Sequence, residues 1–385
     1  MHPDLFQFDF HPTTRVIFGE NALARLGELA KASGAKRILL VTDPGLIASG
    51  HVDKARQSLA QENLTCFVFD EVKENPTTAH VAQGVAYTRE NFPIDLIIAL
   101  GGGSVMDCAK GINFLLTNGG KMEDYWGFGK ATKPMLPSVG IPTTAGTGSE
   151  AQSYALIVQP DTHRKMACGD VKARFRIVIL DPALLASVPR KVASVTGIDA
   201  IAHAVESYVS LRANPVSRMF SKEAWRLLSK NFIPSLQNSG NLSILAEMLL
   251  GSHFAGHAIE NSMLGGAHAC ANPLTAKYGL PHGLAVGLML PHIIRFNDSC
   301  AGEKYFDLFE DTSSTNSAQA GGEKLAGKIE EFLTSADFPP RLRDCSVEKR
   351  DLPALAHAAM QEWTGRFNPR ALTDEESLQL YAAAY

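Results

Sequence analysis

Ile94–Leu116 reads IDLIIALGGGSVMDCAKGINFLL. An apolar run of strand length is followed by three glycines and a serine, and then by a helical pattern with apolar residues at three- and four-residue spacing. Strand, tight glycine turn and helix make the repeating unit of a parallel sheet with helices on its faces. Working outward, β-rich runs recur at Arg37–Val41, Thr65–Phe69, Asp95–Leu100, Ser138–Ile141 and Arg176–Leu180. Between them Asn21–Ser33, Ile47–Glu62, Thr77–Asn91 and Ser104–Leu116 are long enough for amphipathic helices. After Asp181-Pro182 the β-rich runs become few and helical spacing dominates, with loops at Ser239-Gly240, Gly279–Pro281 and the polar stretch 311–322. The expected architecture is an N-terminal α/β nucleotide-binding domain over 1–184, with a mostly parallel sheet and flanking helices, and an all-α domain over 185–385. A length of 385 residues fits more than one domain.

Composition excludes several classes. Hydrophobic residues make up 45% and charged residues 20%, enough apolar matter for a substantial core. A net charge of −4 leaves no basic field to gather nucleic acid or anionic lipid, so neither is an expected partner. Cys66, Cys108, Cys168, Cys270, Cys300 and Cys345 are scattered with no C-x-x-C pair and read as buried thiols of a reducing compartment. The opening MHPDLFQFDFHPTTRVIFG lacks a basic then apolar leader pattern, and no uninterrupted apolar run reaches membrane-spanning length. A cytoplasmic location is expected.

Two loops carry the signature of phosphate binding. Gly101–Ser104 lets backbone N–H groups approach a pyrophosphate at a helix N-terminus, although a plain strand-to-helix turn has the same composition. Thr143–Glu150, TTAGTGSE, follows another strand and offers four hydroxyls within seven residues. Asp43, after the strand Arg37–Val41, suits adenosine-ribose hydroxyls and repels a 2′-phosphate, favouring NAD over NADP; it equally suits the N-cap of the next helix. No G-x-G-x-x-G is present.

In the helical half, Asp199 and His203 are four apart and share a helix face, while His268 and His282 flank a Gly-Leu-Pro turn. One carboxylate and three imidazoles suit Fe2+ or Zn2+. Singly, such a D-x-x-x-H pair is more often a solvated or capping pair. Its occurrence together with two further histidines and a nucleotide-binding half carries the metal reading.

With these motifs in hand, the chain resembles the iron-containing (group III) alcohol dehydrogenase family nearly from end to end. The markers are RVIFG, GGGSVMD, PTTAGTGSE, GIDAIAHAVESY, HACANPLTAKYGLPHG, LPHIIRFN and NPRALTDEE, in that order. The resemblance implies an active site between the two domains and a homodimer or larger homo-oligomer. It also implies metal contacts from Asp199, His203, His268 and His282, and NAD contacts from Asp43, Asn75, Gly102, Gly103, Ser104, Thr143, Thr144, Thr147 and Lys165. The reaction it implies is hydride transfer between NAD(H) and a small primary alcohol or its aldehyde, with Fe2+, or Zn2+ in its place, as metal. Asp107 reads as a residue of the first helical turn and is given no catalytic role.

Two departures bear on mechanism. Many alcohol-oxidising members carry a histidine four residues after the third ligand, and here that residue is Asn272, which does not relay a proton near neutral pH. Glu150-Ala151-Gln152 replaces the usual E-V-T and alters the wall near the nicotinamide. Tyr154, Ile259 and Trp363 are candidate pocket residues. Maleylacetate-reductase-like, glycerol-dehydrogenase-like and dehydroquinate-synthase-like enzymes share the architecture, and a nucleotide-sensing protein with a structural metal is the non-enzymatic alternative. The intact ligand set favours the metal-dependent oxidoreductase.

Overall fold

The computed structural model describes residues 7–162, 164–309 and 321–385. Among the described residues nine strands form two sheets: β1 Arg15–Phe18, β2 Arg37–Val41, β3 Thr65–Phe69, β4 Leu96–Gly101, β5 Gly127–Phe128, β6 Ser138–Pro142, β7 Tyr154–Val158, β8 Lys165–Gly169 and β9 Ile177–Leu180. The first five helices are α1 Leu26–Ala32, α2 Pro44–Ala48, α3 His51–Gln61, α4 Thr78–Glu90 and α5 Gly103–Asn118. They are followed by α6 Arg190–Val209, α7 Pro215–Gln237, α8 Leu242–Ser262, α9 Gly266–Tyr278, α10 His282–Phe306, α11 Gly321–Ser335, α12 Leu352–Met360 and α13 Asp374–Ala384.

The main sheet is six-stranded and wholly parallel, ordered β1-β9-β6-β4-β2-β3. Its central strands β4 and β6 are buried along their whole length, as a sheet covered by helices on both faces requires. Chain order reverses between β2 and β4: the chain runs outward from β2 to β3, then returns to the other side of β2 as β4. Such a reversal opens a crevice at the carboxyl ends of the strands. Beneath the sheet, α1 and α3 pack so closely that a Cβ at Gly27 would overlap the Ser58 carbonyl.

The chain separates into two compact units. One comprises His11–Val188 with Gly240–Leu249; the other takes residues 7–10, Pro189–Ser239 and the described residues from Leu250 onward. The expected division at 184/185 compares with an observed change at Val188/Pro189, and the first half of α8 groups with the α/β unit. Among the described residues no strand follows Leu180, in keeping with an all-helical second half. Helix α8 is long and apolar enough to cross a membrane by length and composition, yet 56% of its most apolar window is buried in the fold.

Several local expectations change. Asn21–Ser33 is a 3-10 turn, Ala22–Arg25, leading into α1 rather than one helix. Ile47–Glu62 is broken by Gly50, whose φ of 77° ends α2 and restarts the chain as α3. The three-stranded sheet β5-β8-β7 was not expected, nor was β1 as a strand. Cys108, Cys168 and Cys270 are buried thiols, Cys66 and Cys345 are partly so, and Cys300 is exposed rather than buried; all six are unpaired. Of the polar stretch 311–322, residues 311–320 lie outside the described residues, and Gly321-Gly322 open α11 instead of ending a loop.

Candidate active site

Three parallel neighbours, β2, β4 and β6, end on the same edge of the main sheet, and the candidate cofactor residues follow them. Asp43 stands after β2 as the N-cap of α2, its carboxylate accepting from the N–H groups of Gly45 (2.9 Å) and Leu46 (3.2 Å). Both readings of Asp43 therefore concern one residue: Oδ1 caps the helix beside the crevice. Gly102 is the N-cap of α5, and Ser104 lies in its first turn. The loop after β6 folds back onto that turn, because a Cβ on Gly103 would come within 2.7 Å of Thr147 and one on Gly102 within 3.4 Å of Thr144. Thr143 is buried and donates its N–H to the Gly101 carbonyl at 3.1 Å. Asn75, in the connection after β3, has a left-handed backbone (φ 52°) and donates its N–H to Ser104 Oγ at 3.2 Å. The structure thus brings Asn75, Gly102, Gly103, Ser104, Thr143, Thr144 and Thr147 together at the carboxyl edge.

Lys165 lies elsewhere, at the start of β8 in the small sheet, half-buried and paired in register with Val158. Its charge acts on Asp107. That residue is in the second turn of α5, not the first, and is buried with Ser149 Oγ donating to Oδ1 at 2.7 Å. Burial pushes the Asp107 carboxyl up; Lys110, the Ser149 hydroxyl and Lys165 pull it back only in part. Lys110 was not singled out by sequence. Its buried ammonium donates to Ser149 O (2.7 Å), Ser149 Oγ (3.0 Å) and Tyr154 O (2.8 Å), fastening the end of the threonine loop to α5. The pair Asp107 and Lys110, one turn apart behind the GGGS turn, was the available signal.

In the helical unit Asp199 is the centre of a donor cluster. Its Oδ1 lies 3.5 Å from His203 Nε2, 3.3 Å from His268 Nε2 and 3.9 Å from His282 Nε2. Donor atoms of Asp199, His268 and His282 lie within 4.8 Å of one another; His203 joins through Asp199 and by stacking on His268 at 4.9 Å between centroids. Four elements of sequence explain this. Helix α6 places Asp199 and His203 one turn apart. His268 is the third residue of α9 and His282 the first of α10, so both sit at helix starts. Gly279, at φ 65°, ends α9 and lets the chain turn. A Cβ at Gly283 would overlap the Val195 carbonyl, so only glycine there lets α10 approach α6 closely.

Do these residues fit a metal? Donor atoms about 2.1 Å from a tetrahedral ion are about 3.4 Å apart, and two of the three Asp199 distances agree. Asp199 Oδ1 and His268 Nε2 are buried and face each other without a hydrogen bond of good geometry, which is costly unless something else satisfies both. Charge points the same way. Burial opposes ionisation of Asp199, but His203, His268 and His282 hold its carboxyl well below the usual carboxylate range. Burial pushes the His268 imidazole down, yet Glu206 and Asp199 outweigh it and raise it to about 9. The carboxylates of Asp199 and Glu206 favour positive charge between them, and a bound metal ion would take the place of the imidazole proton on Nε2. His282 is the least buried of the four, its side chain 26% exposed.

Glu206 was missed by the sequence reading. It lies seven residues after Asp199 on α6, and its Oε2 stands 2.6 Å from His268 Nδ1. The spacing was visible in D-x-x-x-H-x-x-E. Asn272, one turn after His268, donates Nδ2–H to Glu362 Oε2 at 2.8 Å, so a carboxamide and a carboxylate stand where a histidine was considered. Ile259 is buried, while Tyr154 and Trp363 are partly exposed.

Comparison with known proteins places these features in company. Residues 12–182 match the family model described as iron-containing alcohol dehydrogenase, and residues 193–385 match that of the Fe-containing alcohol dehydrogenase family, C-terminal. The 1,3-propanediol dehydrogenase of Klebsiella pneumoniae is 34% identical over 98% of this chain and 99% of its own. The lactaldehyde reductase of Escherichia coli is 32% identical over 96% of this chain and 97% of its own. A solved 1,3-propanediol oxidoreductase superposes with a TM-score of 0.95 at 33% identity, covering 99% of this chain and 100% of that one.

Proposed function

The chain belongs to the iron-containing alcohol dehydrogenase family, and from that premise we propose that it interconverts a small primary alcohol and its aldehyde by hydride transfer with NAD(H). The observation that carries the reading is the buried cluster of Asp199, His203, His268 and His282 around one carboxylate oxygen. In this reading those four residues hold a divalent metal, Fe2+ by family and Zn2+ by equal donor chemistry. When bound, the metal supplies a Lewis acid for the substrate oxygen and NAD supplies the hydride chemistry.

The chain's own residues have defined tasks. Asp199 contributes the negative charge, and the imidazoles present Nε2 atoms toward it. The turn Gly102–Ser104 and the loop Thr143–Thr147 offer N–H and hydroxyl donors to the pyrophosphate at the α5 N-terminus. Asp43, at the β2 end, accepts from ribose hydroxyls and disfavours a 2′-phosphate, making NAD the preferred cofactor. Asn75 supports the turn through Ser104, and Lys165 adds a cation. Asn272 hydrogen-bonds but does not exchange a proton, so the alcohol proton leaves through water or a ribose hydroxyl. Unpaired thiols are compatible with the cytoplasm, and a homo-oligomer formed with further copies completes the reading.

The test is His268→Ala. NADH turnover with short aldehydes should be lost while NADH binding, followed by fluorescence, stays within about threefold of wild type. Equal loss of both would make the metal structural, as in the sensing-protein alternative.

A further inference from the structure

We infer that Glu206 is a positioning residue of the metal centre, orienting His268 so that its Nε2 faces the ion; the inference rests on the metal reading above. A carboxylate only accepts hydrogen bonds, so at 2.6 Å the donor must be His268 Nδ1–H. In the neutral imidazole, the form a metal ion takes up, that assignment leaves the Nε2 lone pair toward Asp199 Oδ1, the side on which His203 and His282 also converge. Ligating histidines ordinarily have their second nitrogen fixed in this way, and loss of the partner typically costs 10–100-fold in metal affinity.

Placement of the carboxylate follows from α6. At 100° per residue, Asp199, His203 and Glu206 fall at 0°, about 40° and about −20°, all within about 60° of one face. One helix therefore supplies two metal donors and the orienting group of a third. Glu206 is also the substitute for a missing cap. Gly265, the N-cap of α9, has no side chain; Glu206 Oε2 accepts the Gly265 N–H at 3.1 Å and Oε1 accepts the Ala267 N–H at 2.6 Å. A Cβ on Gly265 would come 3.0 Å from Oε1, so the glycine also makes room for the carboxylate. Capping alone is within the reach of a neutral Ser, Thr or Asn at the N-cap position. A carboxylate only 3% exposed is an expensive alternative, and the contact that capping leaves unexplained is the one to His268.

The experiment uses the full chain, stripped with a chelator and titrated with Zn2+, and separately with Co2+ followed by its d–d absorption. In Glu206→Gln the amide oxygen keeps the Ala267 N–H from the Oε1 position, while the amide NH2 in place of Oε2 faces both the Gly265 N–H and His268 Nδ1, so one α9 cap bond is lost and the His268 proton must move to Nε2 or the ring must rotate. The expected result is Zn2+ affinity weaker by 10–100-fold and a changed Co2+ band pattern, with NADH affinity close to wild type and the melting temperature of the metal-free protein lowered only by the one lost cap bond, no more than in Glu206→Asp. Glu206→Asp, which keeps the acceptor one methylene short, should fall between the two and carries the test if the glutamine variant does not fold. Wild-type Zn2+ affinity and an unchanged Co2+ spectrum in Glu206→Gln would overturn the inference. So would a parallel loss of Zn2+ affinity, NADH affinity and melting temperature, the mark of a purely structural cap. If the wild-type chain takes up neither ion, the metal reading itself fails, and that result is told apart by needing no variant.

Discussion

At Gly283 the absence of a side chain sets the distance between two helices, and through it the reach of His282 to Asp199, 3.9 Å between Nε2 and Oδ1. Gly283→Ala must push the start of α10 away from the Val195 carbonyl, so Zn2+ affinity should fall at least tenfold while NADH affinity, held in the other unit, stays unchanged. Zinc titration of the stripped variant checks this; an unchanged affinity would show that His282 does not depend on that approach. Asp43 permits a cleaner separation of roles. Asp43→Ser keeps an N-cap acceptor for α2 and removes the charge, so kcat/KM for NADPH should rise about tenfold with little change in melting temperature. Asp43→Ala should add a loss of roughly 0.5–2 kcal/mol from the missing cap. Steady-state kinetics with both cofactors reads the first effect and denaturant unfolding the second. The four donors were legible because each is a residue type with few cheap buried roles. Glu206 was passed over because a carboxylate three residues beyond a ligand reads as helix surface until α9 is known to begin against it.

Among elements, His51 opens α3 and is buried, with its Nε2 and Ser187 Oγ 2.8 Å apart. Burial, then the nearby Lys54 charge, lowers its pKa from 6.5. The sign follows from linkage. Below pH 6.5 the unfolded chain binds this proton more readily than the folded one, so stability falls as pH drops from 6.5 toward the folded value; above 6.5 the group contributes no slope. Thermal melts of wild type and His51→Gln between pH 5 and 8 should diverge from a constant offset only on the acid side. A constant offset throughout would contradict the assignment. Strands of the main sheet were legible where β-branched runs are buried on both faces, as in β4 and β6. Strand β1 was not: it is an edge strand with one buried residue in four, so its pattern carries little periodicity. β7 and β8 were hidden because their hairpin is joined by a polar turn with no Asn-Gly or Asp-Gly signal. The break at Gly50 depends on a backbone angle that a helical count does not contain.

For the whole molecule, the two-part organisation was legible as a switch from short β-rich runs to helical spacing. The regrouping of Gly240–Leu249 with the α/β unit was not, since it is set by tertiary packing of one half of α8. Division of labour between the units makes cofactor binding and metal binding separable, which is why the variants above are each expected to move one without the other. The central claim is that reduction of an aldehyde by NADH needs the ion held at Asp199, His203, His268 and His282. Its most direct test follows NADH absorbance with the full chain, purified anaerobically, stripped, and reloaded with Fe2+, Zn2+ or neither, across a panel of short aldehydes. Turnover that appears on reloading and rises to saturation at about one equivalent of metal is the predicted result; turnover of equal rate in the stripped protein, or NADH binding without turnover under every metal, would contradict it.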